Sequence, residues 1–566
     1  MKIITLCCAL TICTAGTARA AEIDTRVSAP ACSSVFEPAS GSYQFVQEQN
    51  IDYVIADNAR VGEIYYTRLP IFDEANPGEN NALFRWANRF HILSRENVVS
   101  QQILIARGDQ YDERLIAETG RLLRKQSYFY DADVRAVRLC GGEVDVEVIT
   151  RDNWSLTPNI SFDRSGGENS YSFGIRDSNI LGLGKQFEIA SSEDTDRRSQ
   201  QLIYEDHNVL GSRVRTRSKY IDSDDGANRL FELNLPFFPL DSRRSWGIFL
   251  EDGEREDKQY FRGDDISKLE HEIKDFKVEF GWSAGLEDNV SSRWTLGYRY
   301  RRDEFHRSDE LPPPSVFPTD RELSYPYVGF ELIEDKFDTA FNLDQIYRTE
   351  DLQLGQHLSS TLGFASSALG SDQDRMVAAG VFSDTLMYTD DILWQHRLEW
   401  EGSWNLDSKA AEDVVISYET RYFRQATSRR AFFASFEAIY SRNLNSNTQI
   451  FFGGLTGARA FVNRFQAGDR RVSLTLEQRI YTDIHLFNLI RVGGAFFIDV
   501  GRAWESGVDN GVEDELLADI GFGIRLLSSK ASSGRVVHID FAVPLTNRND
   551  PDVNKIQIAY NIKSSF

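Results

Sequence analysis

Apolar and polar residues alternate strictly in the C-terminal part of the chain. From Val537 to Leu545 the odd positions are Val, Ile, Phe, Val and Leu, and the even positions are His, Asp, Ala and Pro. From Ile556 to Phe566 the even positions are Ile, Ile, Tyr, Ile, Ser and Phe. A period of two with one apolar face is typical of a half-buried strand. Strands of about ten residues with this pattern suit a barrel with lipid outside and water inside.

The same alternation extends upstream, so that residues from about 154 to 566 form one strand-rich region. We count about 20 strand-like runs, some of which we expect to be hairpins within loops. A soluble β-sandwich or propeller is the alternative, and the long uniform strand region behind an export signal disfavours it. Aromatic residues on the apolar faces match the interfacial girdle of a membrane barrel; they include Trp282 beside Phe276, Val278 and Phe280, and Trp394, Trp400 and Trp404 beside Leu398.

The first 20 residues have the organisation of a secretory signal peptide. Lys2 precedes an apolar stretch that ends near Ala15, and Ala18-Arg19-Ala20 is an A-x-A cleavage site. An N-terminal membrane anchor is the alternative, but the apolar stretch is too short to span a bilayer. No later segment approaches 18 consecutive apolar residues, so we expect no transmembrane helix.

Charge and cysteine content narrow the function classes. The chain has 63 Lys and Arg residues against 86 Asp and Glu residues, and this charge of −23 argues against nucleic-acid binding. Of five cysteines, Cys32 and Cys140 remain after cleavage of the signal peptide. They can pair in an oxidising compartment, but the distance between them decides this and the sequence leaves it open.

Chemical motifs for catalysis are absent from the sequence. The eight histidines show no H-E-x-x-H spacing, and there is no G-x-S-x-G elbow. We therefore expect no enzyme activity, no cofactor and no metal site.

Residues 58–153 mix helix and strand patterns and form a predicted domain of their own. The preceding residues 21–57 show no clear period, which predicts an irregular segment. The pattern in the domain predicts a strand over 61–72 and then three helices. The first helix covers 83–92, the second runs from the capping Ser94 to about Ala106, and the third covers 112–127. A hairpin of strands 134–139 and 144–150 around Gly141-Gly142 follows.

This order of a strand, helices and a closing hairpin resembles a POTRA domain. The likeness rests on Gly108-Asp109-Gln110-Tyr111, the helix that follows, Tyr128-Phe129 and the hairpin. The segment 73–93 would then be an insertion after the first strand. An unrelated small α+β module is the alternative.

Residues 94–566 resemble the BamA/TamA superfamily of outer-membrane assembly and translocation barrels, which includes the bacterial surface antigen family. The likeness rests on motifs in a fixed order: Gly453 to Phe461, Phe497 to Gly501, Ile539 to Leu545 and the terminal Phe566, preceded by Asn179 to Gly184 and Leu235 to Asp241. The resemblance implies a mainly β fold, a 16-stranded antiparallel transmembrane β-barrel over 154–566 behind a small α+β POTRA-like domain. The loop motif of the family ends in Arg-Gly-Phe, whereas this chain has Arg459-Ala460-Phe461. The added Cβ of Ala460 puts the detailed loop conformation in question.

The resemblance also implies a lumenal site around Arg459 and Phe461. Strand parity independently directs Asp499 and Glu477 into the lumen, because their neighbours along each strand form the apolar face. We predict that the loop folds inward and that Arg459 pairs with Asp499, with Glu477 nearby and Gly501 in the same motif. A solvated loop arginine is the alternative. We further predict that Tyr560, Ile562 and Phe566 form an outward row that acts as the insertion signal.

Three functions fit these features. The first is a factor of the BamA/TamA type in the outer membrane of a Gram-negative bacterium, with its N-terminal domain in the periplasm. Its predicted partners are outer-membrane lipid, client proteins that add a strand to the POTRA-like domain, and periplasmic chaperones or accessory proteins. The alternatives are a passive channel and a structural surface barrel. A single POTRA-like unit favours an accessory role over that of the central assembly machine.

Overall fold

The computed structural model describes residues 32–37, 39–40, 43, 45, 54–507, 515–531, 535–563 and 565–566. The predicted signal peptide 1–20 and most of the predicted irregular segment 21–57 lie outside these residues. None of the helices in the described part combines the length and apolar composition needed to cross a bilayer.

The N-terminal domain packs helices against one face of a four-stranded sheet. Its elements are β1 (Cys32–Ser34), β2 (Arg60–Leu69), α1 (Ala82–Phe90), α2 (Glu96–Ser100), α3 (Glu113–Arg124), β3 (Phe129–Cys140) and β4 (Glu143–Asp152). The sheet order is β1-β3-β4-β2, with β2 parallel to β4 and the other pairs antiparallel. Val98, Ile116, Leu123, Phe129 and Val146 are among the buried residues of its core.

The predicted helix from Ser94 to about Ala106 is wrong, because only Glu96–Ser100 is helical. Ser94 does not cap this helix; its hydroxyl donates instead to the carboxylate of Asp152, 3.0 Å away. The chain then becomes extended, and it buries Ile103 and Ile105 in the core. The third predicted helix is present as α3, and Asp112 caps it by accepting the backbone N–H of Arg114 at 2.9 Å.

A disulfide bond joins Cys32 to Cys140 and places β1 on the edge of β3. On the sheet face opposite the helices, Tyr43 packs on Leu69 and Ile149. Own-chain residues therefore cover one edge and part of the second face of this sheet.

The strands after the N-terminal domain follow in chain order. They are β5 Leu156–Ser165, β6 Glu168–Asp177, β7 Lys185–Glu193, β8 Arg198–Asp206, β9 Arg215–Ser223, β10 Gly226–Leu235, β11 Arg244–Phe261, β12 Asp264–Glu287, β13 Val290–Arg307, β14 Arg321–Glu334, β15 Phe337–Phe341, β16 Thr349–Gln353, β17 Gly355–Ala365, β18 Arg375–Thr389, β19 Ile392–Asn405, β20 Ala410–Thr427, β21 Arg430–Arg442, β22 Ile450–Phe452, β23 Gln466–Gly468, β24 Arg470–Leu486, β25 Ile490–Trp504, β26 Leu517–Ser528, β27 Val536–Pro544 and β28 Gln557–Lys563. Short 3₁₀ turns lie at 180–182, 209–211, 367–369 and 454–456.

Within the described part of the chain, twenty of these strands close into one antiparallel barrel, not the sixteen that the family resemblance implied. The exceptions are the hairpins β15–β16 and β22–β23. The count of about 20 alternating runs was nearer the structure, because each barrel strand must keep one apolar face toward lipid. Barrel diameter grows with strand number, so the wider barrel leaves room inside for chain segments from both ends.

Outward and inward side chains follow the predicted alternation. Phe276, Val278, Phe280 and Trp282 are exposed on the outer surface, as are Trp394 and Trp404. We call the barrel end that carries the N-terminal domain the near end, and the opposite end the far end. The hairpin β15–β16 belongs to a near-end connection, and the hairpin β22–β23 belongs to a far-end loop over 443–469.

Candidate functional site

The far-end loop 443–469 folds into the barrel lumen. Phe452 and Phe461 are fully buried there, and the ring of Phe461 lies 5.3 Å from that of Phe465. Gly501 makes this packing possible, because a Cβ at that position would lie 2.6 Å from the Phe452 ring. The loop therefore needs a residue without a side chain at the end of the Phe497–Gly501 motif.

The replacement of glycine by Ala460 is compatible with this loop. Ala458, not Ala460, has the left-handed backbone, with φ of +54°. The backbone N–H of Ala460 donates to the carboxylate of Asp519 at 2.9 Å, and its side chain is buried. The Cβ therefore adds to the packing without requiring an unfavourable φ.

Arg459 lies at the tip of this loop and faces three carboxylates. Its Nη2 donates to Glu477 at 2.7 Å, and its Nη1 donates to Asp540 at 3.2 Å. Its Nε lies 3.0 Å from Asp499, and the guanidinium also stacks over the Phe497 ring at 3.8 Å from the centroid. The site thus holds a planar cation in a fixed orientation, which is what arginine provides and lysine does not.

Further arginines balance these acids from the barrel wall. Arg479 contacts Glu477 at 3.1 Å, and Arg525 contacts Asp540 at 2.5 Å. Asp499 lacks such a second arginine among these contacts and accepts the hydroxyl of Thr475 at 2.8 Å. Removal of Arg459 would consequently leave Asp499 as the least compensated of the three carboxylates that Arg459 contacts.

The structure brings Arg459 together with both acids that the sequence indicated, Asp499 and Glu477. The shortest hydrogen bond goes to Glu477, at 2.7 Å, whereas Asp499 accepts a longer one from Nη2 at 3.5 Å. Asp540 and Asp519 were missed as partners. Asp540 stands on the polar positions of its alternating strand, which predicted its inward direction but not its distance from Arg459.

The predicted outward row at the C-terminus points outward in β28 but not at the terminal residue. Ile558 is exposed on the outer surface, and Tyr560 and Ile562 share its parity. Phe566, predicted to end this outward row, instead lies inside the barrel, only 2% exposed, with its ring 4.7 Å from that of Tyr481. The strand ends at Lys563, so its alternation does not extend to the terminal residue.

The seam between the last and first strands is weakly paired. Among the described residues, β28 and β5 share one register pair, Tyr560 with Arg164, whereas β5 and β6 share ten pairs and β27 and β28 share seven. The backbone N–H of Ile562 donates to the side chain of Asp163 at 3.0 Å, not to a backbone carbonyl. The barrel is closed here by few main-chain hydrogen bonds.

The near-end connection 335–354 packs inside the barrel mouth. Leu343 and Ile346 join a buried cluster with Phe433, Tyr481 and Phe566 on the barrel wall. Arg479, which contacts Glu477, also donates to the carbonyl of Leu343 at 2.9 Å. One arginine thus connects the near-end hairpin to the site around Arg459.

The same connection contacts the N-terminal domain. Arg124 makes a bidentate contact with Asp351, at 2.5 and 2.9 Å. Thr349 donates to Asp131 at 2.9 Å. Burial raises the pKa of Asp131 to about 6, and burial together with the charge of Asp344 raises the pKa of Glu350 to about 7. Asp131 thus lies in the contact and Glu350 within the connection itself, each with its pKa raised toward neutral.

A family model for the Omp85 superfamily domain matches residues 179–566. The chain belongs to the Omp85 superfamily. A barrel of this family resides in the outer membrane of Gram-negative bacteria, so the outward aromatic residues of the chain face outer-membrane lipid.

Solved structures with a similar fold include BamA from Haemophilus ducreyi lacking POTRA domains 1–3, at 11% identity and a TM-score of 0.39, covering 89% of this chain and 84% of that one. CdiB from Acinetobacter baumannii matches at 12% identity and a TM-score of 0.40, covering 90% and 74%. CdiB from Escherichia coli matches at 10% identity and a TM-score of 0.37, covering 93% and 94%. No curated protein matches the chain.

Proposed function

We propose that this Omp85 barrel aids the insertion or translocation of client proteins at the outer membrane. In this proposal the N-terminal domain is a single POTRA-like unit in the periplasm, and the chain acts without catalysis. The observation that carries the proposal is the seam between β28 and β5. A seam with one register pair can open at low cost and offer unpaired strand edges to a client strand.

The N-terminal domain supports the proposal through its sheet edges. The edge of β3 is occupied by β1 of the same chain. A client strand would therefore pair with β2, which is the edge strand on the other side of the sheet. Only the beginning of β2 is bridged among the described residues, where Val61 exchanges backbone hydrogen bonds with Gly108 and Asp109. The proposed client surface is therefore the later part of β2.

The contents of the lumen count against the passive channel as the main function. The near-end connection 335–354 and the far-end loop 443–469 both occupy lumenal space, and Arg479 links them. A cavity of about 1030 Å³ remains on the other side, lined by charged residues of both signs such as Arg299, Arg301, Glu279 and Glu331. We expect small and unsteady conductance from the purified protein in a planar bilayer.

The proposal is tested by locking the seam. The double variant Tyr560→Cys/Arg164→Cys places two thiols at its register pair, and oxidation should join them. The matched control is Phe162→Cys/Tyr171→Cys, a pair in the fully hydrogen-bonded ladder of β5 and β6. In the native host, the locked seam should lower the amounts of newly exported outer-membrane or surface proteins, and the control should not.

The readout is quantitative proteomics of outer membranes and culture medium, after depletion of the wild-type protein and expression of each variant. An unchanged protein profile in the locked variant, together with steady conductance of the purified wild type, would favour the channel and overturn the proposal.

A further inference from the structure

The helix α1 has an apolar face that is wider than the surface it packs on. Phe84 and Ala87 are buried, and Phe84 stacks on Phe72 at a centroid distance of 4.1 Å. Leu83, Trp86 and Phe90 continue the same apolar arc but are 63%, 54% and 62% exposed. A helix with one apolar face and an opposite polar face has the pattern of an interfacial membrane helix.

The segment 73–95, which contains α1, is tied to the near rim of the barrel on both sides of the seam. Before the helix, Gly78 accepts a hydrogen bond from Asn488 at 2.5 Å, in the turn between β24 and β25. Glu79 pairs with Lys530 at 2.9 Å, in the turn between β26 and β27. After the helix, Arg95 donates its backbone N–H to Gly182 at 2.9 Å, in the turn between β6 and β7.

These attachments place the segment 73–95 beneath the foot of the seam. The strands between the two sets of turns are β27, β28, β5 and β6, and the seam lies in the middle of this group. Nine helical residues extend about 14 Å, which is the width of about three neighbouring strands. Trp154, just before β5, and Leu489 both pack on the buried side of α1.

The near rim of the barrel carries other exposed apolar residues. Ile484, Leu486 and Phe487 lie at the same near rim, beside Leu489, and all three are exposed. The helix carries Arg85 and Arg89 and no acidic residue, within a chain of charge −23. Exposed arginines beside an apolar face suit the anionic headgroups of a phospholipid leaflet.

We propose that α1 is an interfacial helix, with Leu83, Trp86 and Phe90 embedded in the near-end phospholipid leaflet of the outer membrane at the foot of the β28–β5 seam. This assignment concerns a lipid-binding surface and is independent of what the barrel inserts or transports. Contact with lipid explains why protein leaves these three large apolar side chains uncovered.

The test measures membrane depth at single positions of α1. The mature full-length protein offers one reactive cysteine in each of the variants Trp86→Cys, Phe90→Cys and Arg85→Cys, because Cys32 and Cys140 are joined. Each variant is labelled with an environment-sensitive fluorophore and reconstituted in vesicles of phosphatidylethanolamine and phosphatidylglycerol. Doxyl-labelled phospholipid then serves as a quencher, and heat-modifiable migration on gels verifies folding.

We expect quenching of the labels at 86 and 90 to exceed that at 85 by at least twofold, because Arg85 lies on the polar face of the same helix. Equal quenching at all three positions would overturn the proposal. Absence of lipid quenching at 86 and 90 would overturn it too, and emission there that depends on protein concentration would assign the face to a second copy of the chain.

Discussion

Truncation of Arg459 is the perturbation for which the structure allows the sharpest estimate. In Arg459→Gln, Glu477 keeps Arg479 at 3.1 Å and Asp540 keeps Arg525 at 2.5 Å. Asp499, which is only 1% exposed, keeps the hydroxyl of Thr475. The loss of one partner from a buried ion pair costs about 3–5 kcal/mol, and we expect the lower end because lumenal water and the remaining arginines compensate in part.

This free energy opposes docking of the loop in the lumen. Since about 1.4 kcal/mol corresponds to a factor of ten in an equilibrium constant, the undocked fraction should rise by about two orders of magnitude. Chymotrypsin cleavage after the fully buried Phe461 reports that fraction, provided that the loop opens and closes faster than it is cut. The assay is the cleavage rate of purified, reconstituted protein, with the protease added at the far end.

Two further variants separate this ion pair from a general effect on the loop. Arg464→Gln removes a more exposed arginine of the same loop, which contacts Asp196 at 2.5 Å, and should change the rate only a few-fold. The double variant Arg459→Gln/Asp499→Asn should lose less than the sum of its single variants, because the uncompensated carboxylate is gone. Full additivity, or a rate for Arg459→Gln within threefold of that for Arg464→Gln, would refute the reasoning.

Three other outcomes follow from the structure. Burial in the docked state raises the pKa of Glu350 in the hairpin 335–354 and of Asp131 in the N-terminal domain. The docked state therefore binds more protons than the released state, so docking should strengthen as pH falls from 8 to about 5.5. Limited proteolysis of the hairpin checks this, and Glu350→Gln should flatten the change near pH 7. Cys32→Ser should lower the free energy of unfolding of the N-terminal domain by about 2–4 kcal/mol, as measured by denaturant unfolding. It should also speed amide exchange at β3, and an unchanged exchange rate there would contradict the covered edge. Phe566→Ala should lower the temperature at which the folded band disappears from gels, because the loss of a buried aromatic side chain costs about 3–5 kcal/mol. Phe566→Leu should recover part of this temperature decrease. An equal decrease in both variants would favour a role as insertion signal over one in packing.

Local alternation was sufficient to predict the direction of many side chains. In a strand, successive residues point to opposite faces, so the apolar neighbours of Asp499 and Glu477 predicted that both acids face the lumen. The same rule predicted the lipid-facing aromatic residues. It also yielded about 20 strand-like runs, but the prediction followed the family's 16 strands and was wrong.

Distances between remote segments were decided only by the tertiary structure. Arg459 and Asp540 are 81 positions apart and meet because the barrel closes and the loop folds inward. Closure also fixed the strand number at twenty, which depends on how many strands complete the ring of hydrogen bonds and not on the pattern within any one strand. The inward turn of Phe566 and the pairing of Cys32 with Cys140 have the same origin. Strand periodicity acts over a few residues, whereas contacts across a barrel depend on the position of every strand between them.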